Sequence, residues 1–330
     1  MNFSKKWSGI GVSVLAMFSL ILATPAFARE FTSALGLAFS LDLGEGQGCL
    51  TDQAGRKIIF DRPFQRIISL YGAHTENLFS LGAGDALIGV GRHDQYPEAA
   101  RAKSVFSYHD DGEKFLAARP DLVLIRPMID RGYRGLMARL EKSGIVVVSI
   151  QPRNVGQMFE YWRVLGALSG RGPAAEEMIR TFSEAVVDFR NQAPPKALRK
   201  GVYFQAIHRK MRTITRDSMA DFALEVAGGI NVARDGVSSR GTNLAVYGVE
   251  KILARADLID VLLVQHGAMD RPPLEMVKKE PGFSMIKAVR EDEVYIIHEH
   301  LVSRPTMRLI LGIREIQNIL YPGRGLSGGH

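Results

Sequence analysis

The chain has 330 residues, a formal net charge of +7 and a single cysteine, Cys49. One cysteine excludes an internal disulfide framework. The excess of Lys and Arg is spread along the chain and forms neither a basic block nor a nucleic-acid motif. The length exceeds that of one small core and suits two lobes. We therefore expect a two-lobed globular protein that does not bind nucleic acid.

The amino terminus has the pattern of a secretory signal. Two lysines at positions 5 and 6 precede an apolar run, and Ala26-Phe27-Ala28 supplies the small residues of a cleavage site. This pattern predicts export with cleavage after Ala28. A retained membrane anchor is the alternative, although the apolar run is short for a bilayer. The residues before Cys49 lack the composition of a lipidation site, so we expect a free thiol and a soluble periplasmic protein.

Short apolar strands alternate with helices beyond residue 50. The segment Thr51–Phe60 predicts a hairpin, and Arg66–Pro97 predicts a strand, a helix that begins at His74 and a second strand that ends at Val90. Further strands are predicted at Ser104–Tyr108, Leu122–Arg126, Ile145–Ile150, Gly201–Ile207, Ile259–Val264 and Val294–Ile297. Continuous Val, Ile and Leu runs separated by helices are typical of parallel sheets buried on both faces.

The pattern changes between the two groups of strands. Residues 153–195 have helical spacing almost throughout and no strand signal, which indicates a helical spine between two α/β lobes. The motif at Glu113–Ala117 recurs at Glu250–Ala254, each time before a buried strand, and this repeat favours two related lobes. The expected segments are a signal peptide (1–28), an N-terminal lobe (29–152), a helical linker with a bridging helix (153–195) and a C-terminal lobe (196–330).

Histidines follow the carboxyl ends of the predicted strands, the edge at which open α/β sheets bind ligands. Neutral imidazole binds transition metals, and nearby arginines suit carboxylates. The candidate ligand contacts are Tyr71, His74, Arg92, His93, Tyr108, His109, Arg126, His208, His266, His298, His300 and Arg304. For any one of these histidines, a surface or locally hydrogen-bonded role is the alternative.

The run His298-Glu299-His300 has the most metal-like local spacing. On an extended segment, alternation points both histidines the same way, so His298 and His300 are the candidate metal ligands. The sequence carries no HExxH motif and no glycine-rich phosphate loop after a strand. We therefore expect no enzymatic activity and no intrinsic cofactor. A metal-dependent enzyme on a chelatase-like fold is the alternative, with Glu299 as its nearest base.

Four blocks of the chain resemble the class III periplasmic binding proteins of ABC importers, which capture cobalamin, ferric siderophores or haem. The blocks are RIISLYGAHTENLFSLGAGDALIGVGRHDQYPEAA, EKFLAARPDLVLI, KAVREDEVYII and SRPTMRLILGIREIQNILYP, and the resemblance extends from Thr51 to Pro322. It implies two Rossmann-like lobes with parallel sheets, joined by one long bridging α-helix, with the ligand cleft between the lobes.

The resemblance also implies partners. Glu113 and Glu250 match the family's docking glutamates, one on each lobe, which pair with arginines of the inner-membrane permease. An ordinary solvated acid at a helix start is the alternative for each. The expected function is capture of a ferric siderophore or corrinoid for an ABC permease and its cytoplasmic ATPase, with a TonB-dependent outer-membrane receptor upstream. A haem binder, with Tyr108 near the family's haem tyrosine, and a free Zn, Ni or Co binder are the alternatives.

Overall fold

A computed structural model describes residues 40–44, 47–238 and 242–323. The predicted signal peptide and its cleavage site after Ala28 lie outside these residues. No helix within them has both the length and the apolar character needed to cross a membrane.

A three-stranded antiparallel sheet precedes the first lobe. Its strands, in spatial order, are β1 (Ser40–Gly44), β2 (Gln47–Thr51) and β3 (Lys57–Phe60). The predicted hairpin is confirmed by β2 and β3, whereas β1 was not anticipated from the sequence. Asp52 fixes the turn, because its Oδ1 accepts the backbone N–H of Ala54 and of Arg56. Its Oδ2 accepts the N–H of Ser149 and so attaches the hairpin to the first lobe.

Five parallel strands form the N-terminal sheet in the order β6-β5-β4-β7-β8. They are β4 (Ile67–Ser69), β5 (Leu87–Gly91), β6 (Ser104–Phe106), β7 (Leu122–Ile125) and β8 (Val146–Ser149). The helices between them are α1 (Gly72–Ser80), α2 (Gly112–Ala118), α3 (Pro127–Gly132) and α4 (Arg134–Lys142). Strand β6 ends at Phe106, two residues earlier than predicted, so Tyr108 and His109 lie in the loop before α2.

Two helices follow β8, namely α5 (Val155–Ser169) and α6 (Gly172–Gln192). The longer one, α6, has 21 residues and therefore spans about 30 Å. It bridges the lobes through aromatic packing: the Phe182 ring lies 5.6 Å from the Trp162 ring of α5 and 6.2 Å from the Phe222 ring of the C-terminal lobe. The exact boundaries of lobes and linker stay predictions.

The C-terminal sheet has the order β12-β10-β9-β13-β14, with β11 paired to β9. Its strands are β9 (Gly201–Ile207), β10 (Arg212–Ile214), β11 (Ile230–Asn231), β12 (Leu244–Val246), β13 (Val261–His266) and β14 (Val294–His298). Its helices are α7 (Met219–Val226), α8 (Val249–Leu253), α9 (Leu274–Lys278), α10 (Lys287–Arg290), α11 (Glu299–Val302) and α12 (Leu309–Leu320).

This second sheet is mixed rather than wholly parallel. Strands β9, β11, β13 and β14 run parallel, but β10 and β12 are antiparallel additions at one edge. The sequence did not predict these two strands because each has only three residues, too few for a periodic signal. The core of the fold is thus two α/β lobes, and helix α12 packs against α7 and α6 to close the C-terminal lobe.

The bridging helix yields a prediction about stability. Phe182 is fully buried among aromatic rings from both lobes, so Phe182→Ala should lower the free energy of unfolding by about 3–5 kcal/mol, because it leaves a cavity at the junction. Val187→Ala on the same helix, at a 44% exposed position, is the matched control and should change it by about 0.5 kcal/mol or less. Urea unfolding measures both; equal effects would contradict this account of the bridge.

Candidate functional site

A buried carboxylate ties the two lobes together. Glu76 of α1 is only 2% exposed. Arg304 donates from Nη1 to its Oε1 at 3.0 Å, and Arg308 donates from Nε to its Oε2 at 2.9 Å and from Nη2 to its Oε1. Since an unpaired buried carboxylate is costly, two arginines from the C-terminal lobe are needed to hold it. We call Glu76, Arg304 and Arg308 the interlobe joint.

Backbone contacts reinforce the interlobe joint. The carbonyl oxygen of Pro305 accepts the Asn77 side-chain amide at 2.9 Å and the Trp162 indole N–H at 3.2 Å. Gly72, at the start of α1, leaves room for Arg304, because a Cβ there would lie 2.6 Å from Arg304 Nη1. The segment after α11 is therefore fixed against the N-terminal lobe at one side of the interlobe space.

Tyr71 and Arg126 lie beside the joint, at the carboxyl ends of β4 and β7. The Arg126 guanidinium carbon is 5.2 Å from the centroid of the Tyr71 ring, a cation–π distance. Burial raises the pKa of Tyr71, while the positive charges of Arg126 and Arg304 oppose that rise. Arg126 and Arg304, from opposite lobes, therefore both lie near Tyr71.

Arg92 and His93 are exposed and directly follow β5, as predicted. Asp94 fixes their loop, because its Oδ2 accepts the Thr75 hydroxyl at 2.6 Å and the Gly91 N–H at 3.0 Å. Further along the same loop, the Tyr96 ring centroid lies 4.1 Å from the guanidinium carbon of Arg308. The loop is thus held at the rim of the interlobe space.

Three rings form an aromatic cluster on the N-terminal lobe: Tyr108, His109 and Tyr133. Their centroids lie 4.5 to 5.2 Å apart, and the Tyr133 hydroxyl is 3.0 Å from His109 Nδ1. The cluster lines a cavity of about 380 Å³ together with Asp110 and Arg139. A cavity lined by aromatic rings suits a flat or conjugated ligand group.

Three imidazoles form a histidine cluster on the C-terminal lobe: His266, His298 and His300. His266 and His298 are the paired last residues of the parallel strands β13 and β14. The rings of His298 and His300 stack at 5.3 Å and 17°. The predicted alternation of His298 and His300 on an extended segment is wrong, because β14 ends at His298 and His300 lies in helix α11.

Charged groups of both signs lie near the histidine cluster, because the Glu299 carboxylate, whose Oε2 accepts the Ala268 N–H at 2.9 Å, lies there as well as several arginines. Partial burial lowers the pKa of His300 to about 4, and the charges of Arg308, His298, Arg304 and Arg271 add to that effect. The imidazole of His300 is therefore neutral at pH 7. Among the described residues, no group of three or more His, Cys, Asp or Glu side chains is arranged to hold a metal ion.

His74 is not placed to contact a ligand, which corrects its assignment as a binding residue. It is 0% exposed, and both ring nitrogens have partners in the core. Nε2 lies 3.1 Å from the Ile125 carbonyl, which can only accept, so Nδ1 accepts the Tyr161 hydroxyl at 2.7 Å. Burial lowers the pKa of His74 to about 3. His74 is a neutral structural histidine.

His208 requires the same correction. It is 4% exposed, its Nδ1 is 3.0 Å from the Gln205 amide nitrogen, and its Nε2 is 3.3 Å from a carboxylate oxygen of Glu280. Both nitrogens are used within the C-terminal lobe. The structure thus brings His266, His298, His300 and Arg304 together, whereas His74 and His208 are buried in the cores of their lobes.

Sequence reasoning missed Glu76, Arg308 and Tyr133. A signal for Glu76 was present: His74-Thr75-Glu76-Asn77 is a run of four polar residues on a helix next to a buried strand, and all four are buried. Arg308 lies four residues after Arg304 in the SRPTMR block. Nothing in the sequence marks Tyr133, which reaches the aromatic cluster from the start of α4.

The predicted docking glutamates lie in the first turns of equivalent helices, Glu113 in α2 and Glu250 in α8, and both are exposed. Their surroundings differ. Glu113 Oε1 accepts Arg139 Nη2 at 3.2 Å, and Arg139 also approaches Asp111 at 3.4 Å. Within the described part of the chain, no lysine or arginine forms an ion pair with Glu250.

Comparison with known proteins gives a consistent result. Residues 67–301 match a family model described as periplasmic binding protein. The uncharacterized ABC transporter substrate-binding lipoprotein YvrC of Bacillus subtilis is 24% identical over 278 residues, which cover 83% of this chain and 85% of that protein. The vitamin B12-binding protein of Vibrio cholerae is 21% identical over 257 residues, covering 77% and 88%.

A solved structure has the same fold. The possible iron-binding (periplasmic solute-binding) protein from Staphylococcus epidermidis superposes with a TM-score of 0.69 at 25% identity, covering 79% of this chain and all of that chain.

The buried state of His74 predicts a pH dependence of stability. Because the pKa of His74 is lowered from 6.5 to about 3, the unfolded chain binds a proton between these values that the folded chain does not. The free energy of unfolding should therefore fall as the pH falls below about 6.5, with His74 contributing up to about 1.4 kcal/mol per pH unit.

His74→Gln keeps a donor for Ile125 and an acceptor for Tyr161 but cannot titrate, so urea unfolding at several pH values should show a smaller slope than wild type. His93→Gln, at an exposed position, is the matched control and should keep the wild-type slope. An unchanged slope in His74→Gln would show that His74 is protonated in the folded protein.

Proposed function

The chain belongs to the periplasmic binding protein family, and we propose that it captures a metal chelate between its lobes and delivers it to an ABC importer. The family match spans both sheets, from residue 67 to residue 301, and the two-lobed fold is that of the class III members. The proposed ligand is a ferric siderophore or a corrinoid. Relatives named for vitamin B12 and for iron support this range.

The proposal rests on one observation: arginine and histidine side chains lie close together between the lobes. Three guanidinium groups meet there, beside three carboxylates: the arginines are Arg126, Arg304 and Arg308, and the acids are Glu76, Asp94 and Glu299. Guanidinium groups are suited to bind the carboxylates of an anionic complex. This favours a chelate over the free-metal alternative.

The proposed contacts follow from exposure and position. Arg126 and Arg304 would neutralise ligand acids, with Arg92 at the rim. The aromatic cluster would pack on the ligand, and the histidine cluster would face its metal. Tyr71 would line the bottom of the ligand site beside Arg126. Haem is the second candidate ligand, because the aromatic rings of Tyr108 and His109 lie together beside a cavity.

The proposed setting follows from the family. The protein would act outside the cytoplasm, as a soluble periplasmic protein after cleavage at Ala28, although one relative is a lipoprotein. Its partners would be an inner-membrane permease with a cytoplasmic ATPase, supplied by a TonB-dependent outer-membrane receptor. We propose no catalytic role and no intrinsic cofactor.

Native mass spectrometry with metal analysis, on protein purified from its own periplasm, tests the proposal. The expected result is a stoichiometric complex with an iron chelate, a corrinoid or haem, which names the ligand. A stoichiometric bare metal ion would contradict the chelate proposal and favour the free-metal alternative.

The glutamates yield a separate prediction about docking. The variant with both Glu113→Ala and Glu250→Ala should abolish uptake of the captured ligand in cells while leaving its affinity for the purified protein unchanged, because both side chains lie on exposed helix starts. Glu184→Ala, an exposed acid on the bridging helix, is the matched control and should take up ligand normally. Loss of ligand affinity in the double variant would place the glutamates in the binding site instead.

A further inference from the structure

Ring orientation decides which histidines of the histidine cluster can share a metal. A metal ion lies in the plane of each imidazole that binds it, because the nitrogen lone pair lies in the ring plane. His298 and His300 are nearly parallel, at 17°, so their lone pairs run side by side and do not converge on one ion. His266 and His298 cross at 74°, with centroids 6.3 Å apart, so their ring planes intersect.

The backbone supports the second pair. His266 and His298 are opposite one another in the parallel register of β13 and β14, each at the last position of its strand. Neighbouring strands lie about 4.8 Å apart, and opposed residues point to the same face. The two side chains are therefore presented together by the sheet itself and not by a loop.

A hydrogen bond fixes the tautomer of His266. Its Nε2 lies 2.8 Å from the carbonyl oxygen of Pro272, which can only accept, so Nε2 carries the proton and Nδ1 keeps its lone pair. Metal-binding histidines characteristically donate the other ring N–H to a carbonyl or carboxylate in this way, which sets the tautomer and the ring orientation. His266 therefore makes the hydrogen bond that is typical of a metal-binding histidine, although no ion is needed to hold its ring in place.

The surroundings select the kind of metal complex. Two imidazoles are too few to hold a bare ion firmly, and Arg271 lies beside the pair, donating from Nε to the Gly267 carbonyl at 3.1 Å. A guanidinium group next to the two histidines favours a complex whose chelator carries acidic groups. Imidazole nitrogen prefers Zn, Cu, Ni, Co and Fe over oxygen-seeking ions such as Mg or Ca.

We propose that His266 and His298 together bind the metal of an anionic chelate whose coordination shell is incomplete. This inference rests on the proposed function and narrows it: the cargo would be a transition-metal complex with open positions, not one whose chelator fills the shell. His300 would pack against His298 and hold its ring without touching the metal.

A pair of nickel chelates tests the inference on tag-free protein. Nitrilotriacetate leaves part of the nickel shell open, whereas EDTA fills it. Isothermal titration calorimetry should show binding of Ni²⁺–nitrilotriacetate and none of Ni²⁺–EDTA, and the visible spectrum of the bound nickel should shift as imidazoles replace water. His266→Ala and His298→Ala should each lower the affinity at least about tenfold.

His300→Ala should lose less affinity than either variant, and Met269→Ala, on the exposed loop that follows His266, is the matched control and should bind as wild type. Circular dichroism of each variant checks that the fold is retained. Equal binding of the two chelates, or a loss for His300→Ala as large as that for His266→Ala, would overturn the metal pair.

The same measurements distinguish a failure of the proposed function from a failure of the metal pair. Tighter binding of bare Ni²⁺ than of Ni²⁺–nitrilotriacetate would contradict the chelate proposal even if His266 and His298 are both required. A native complex with a closed-shell chelate, together with no binding of Ni²⁺–nitrilotriacetate, would uphold the function and reject the metal pair.

Discussion

The fold depends on one buried carboxylate. Glu76 is almost fully buried, and among the described residues its ion-pair partners are Arg304 and Arg308 from the other lobe. Breaking a buried ion pair costs several kcal/mol, because it leaves an uncompensated charge in a medium of low polarity. The lobes are therefore joined twice, by the bridging helix and by this charge, and the position of every cleft residue relative to the opposite lobe follows from the two connections.

Much of this organisation was readable in the sequence. Long apolar runs such as Leu122–Ile125 and Gly201–Ile207 predicted buried strands correctly, because a strand covered on both faces needs no polar alternation. The position of histidines at strand ends was also readable, since His266 and His298 end their strands. The rule that ligands bind at this edge then predicts that the site lies beside these residues.

The role of each histidine could not be predicted from the sequence. His74 follows a strand like the others and lies in the first turn of α1, but its partner Tyr161 is 87 residues away in the chain and keeps it out of the cleft. The roles of His298 and His300 depended on one local detail, whether the chain stays extended after His298, and it turns into a helix instead. Burial and partner identity are properties of the assembled core, and local sequence carries little information about either.

The ion pair of Arg139 with Glu113 has a consequence for how the molecule is oriented. Arg139 gives Glu113 a cationic neighbour, and the described residues supply none to Glu250. If these acids are the docking points, the two ends of the molecule are chemically distinct, and Arg139 adds to the difference that the unlike sheets of the two lobes already make.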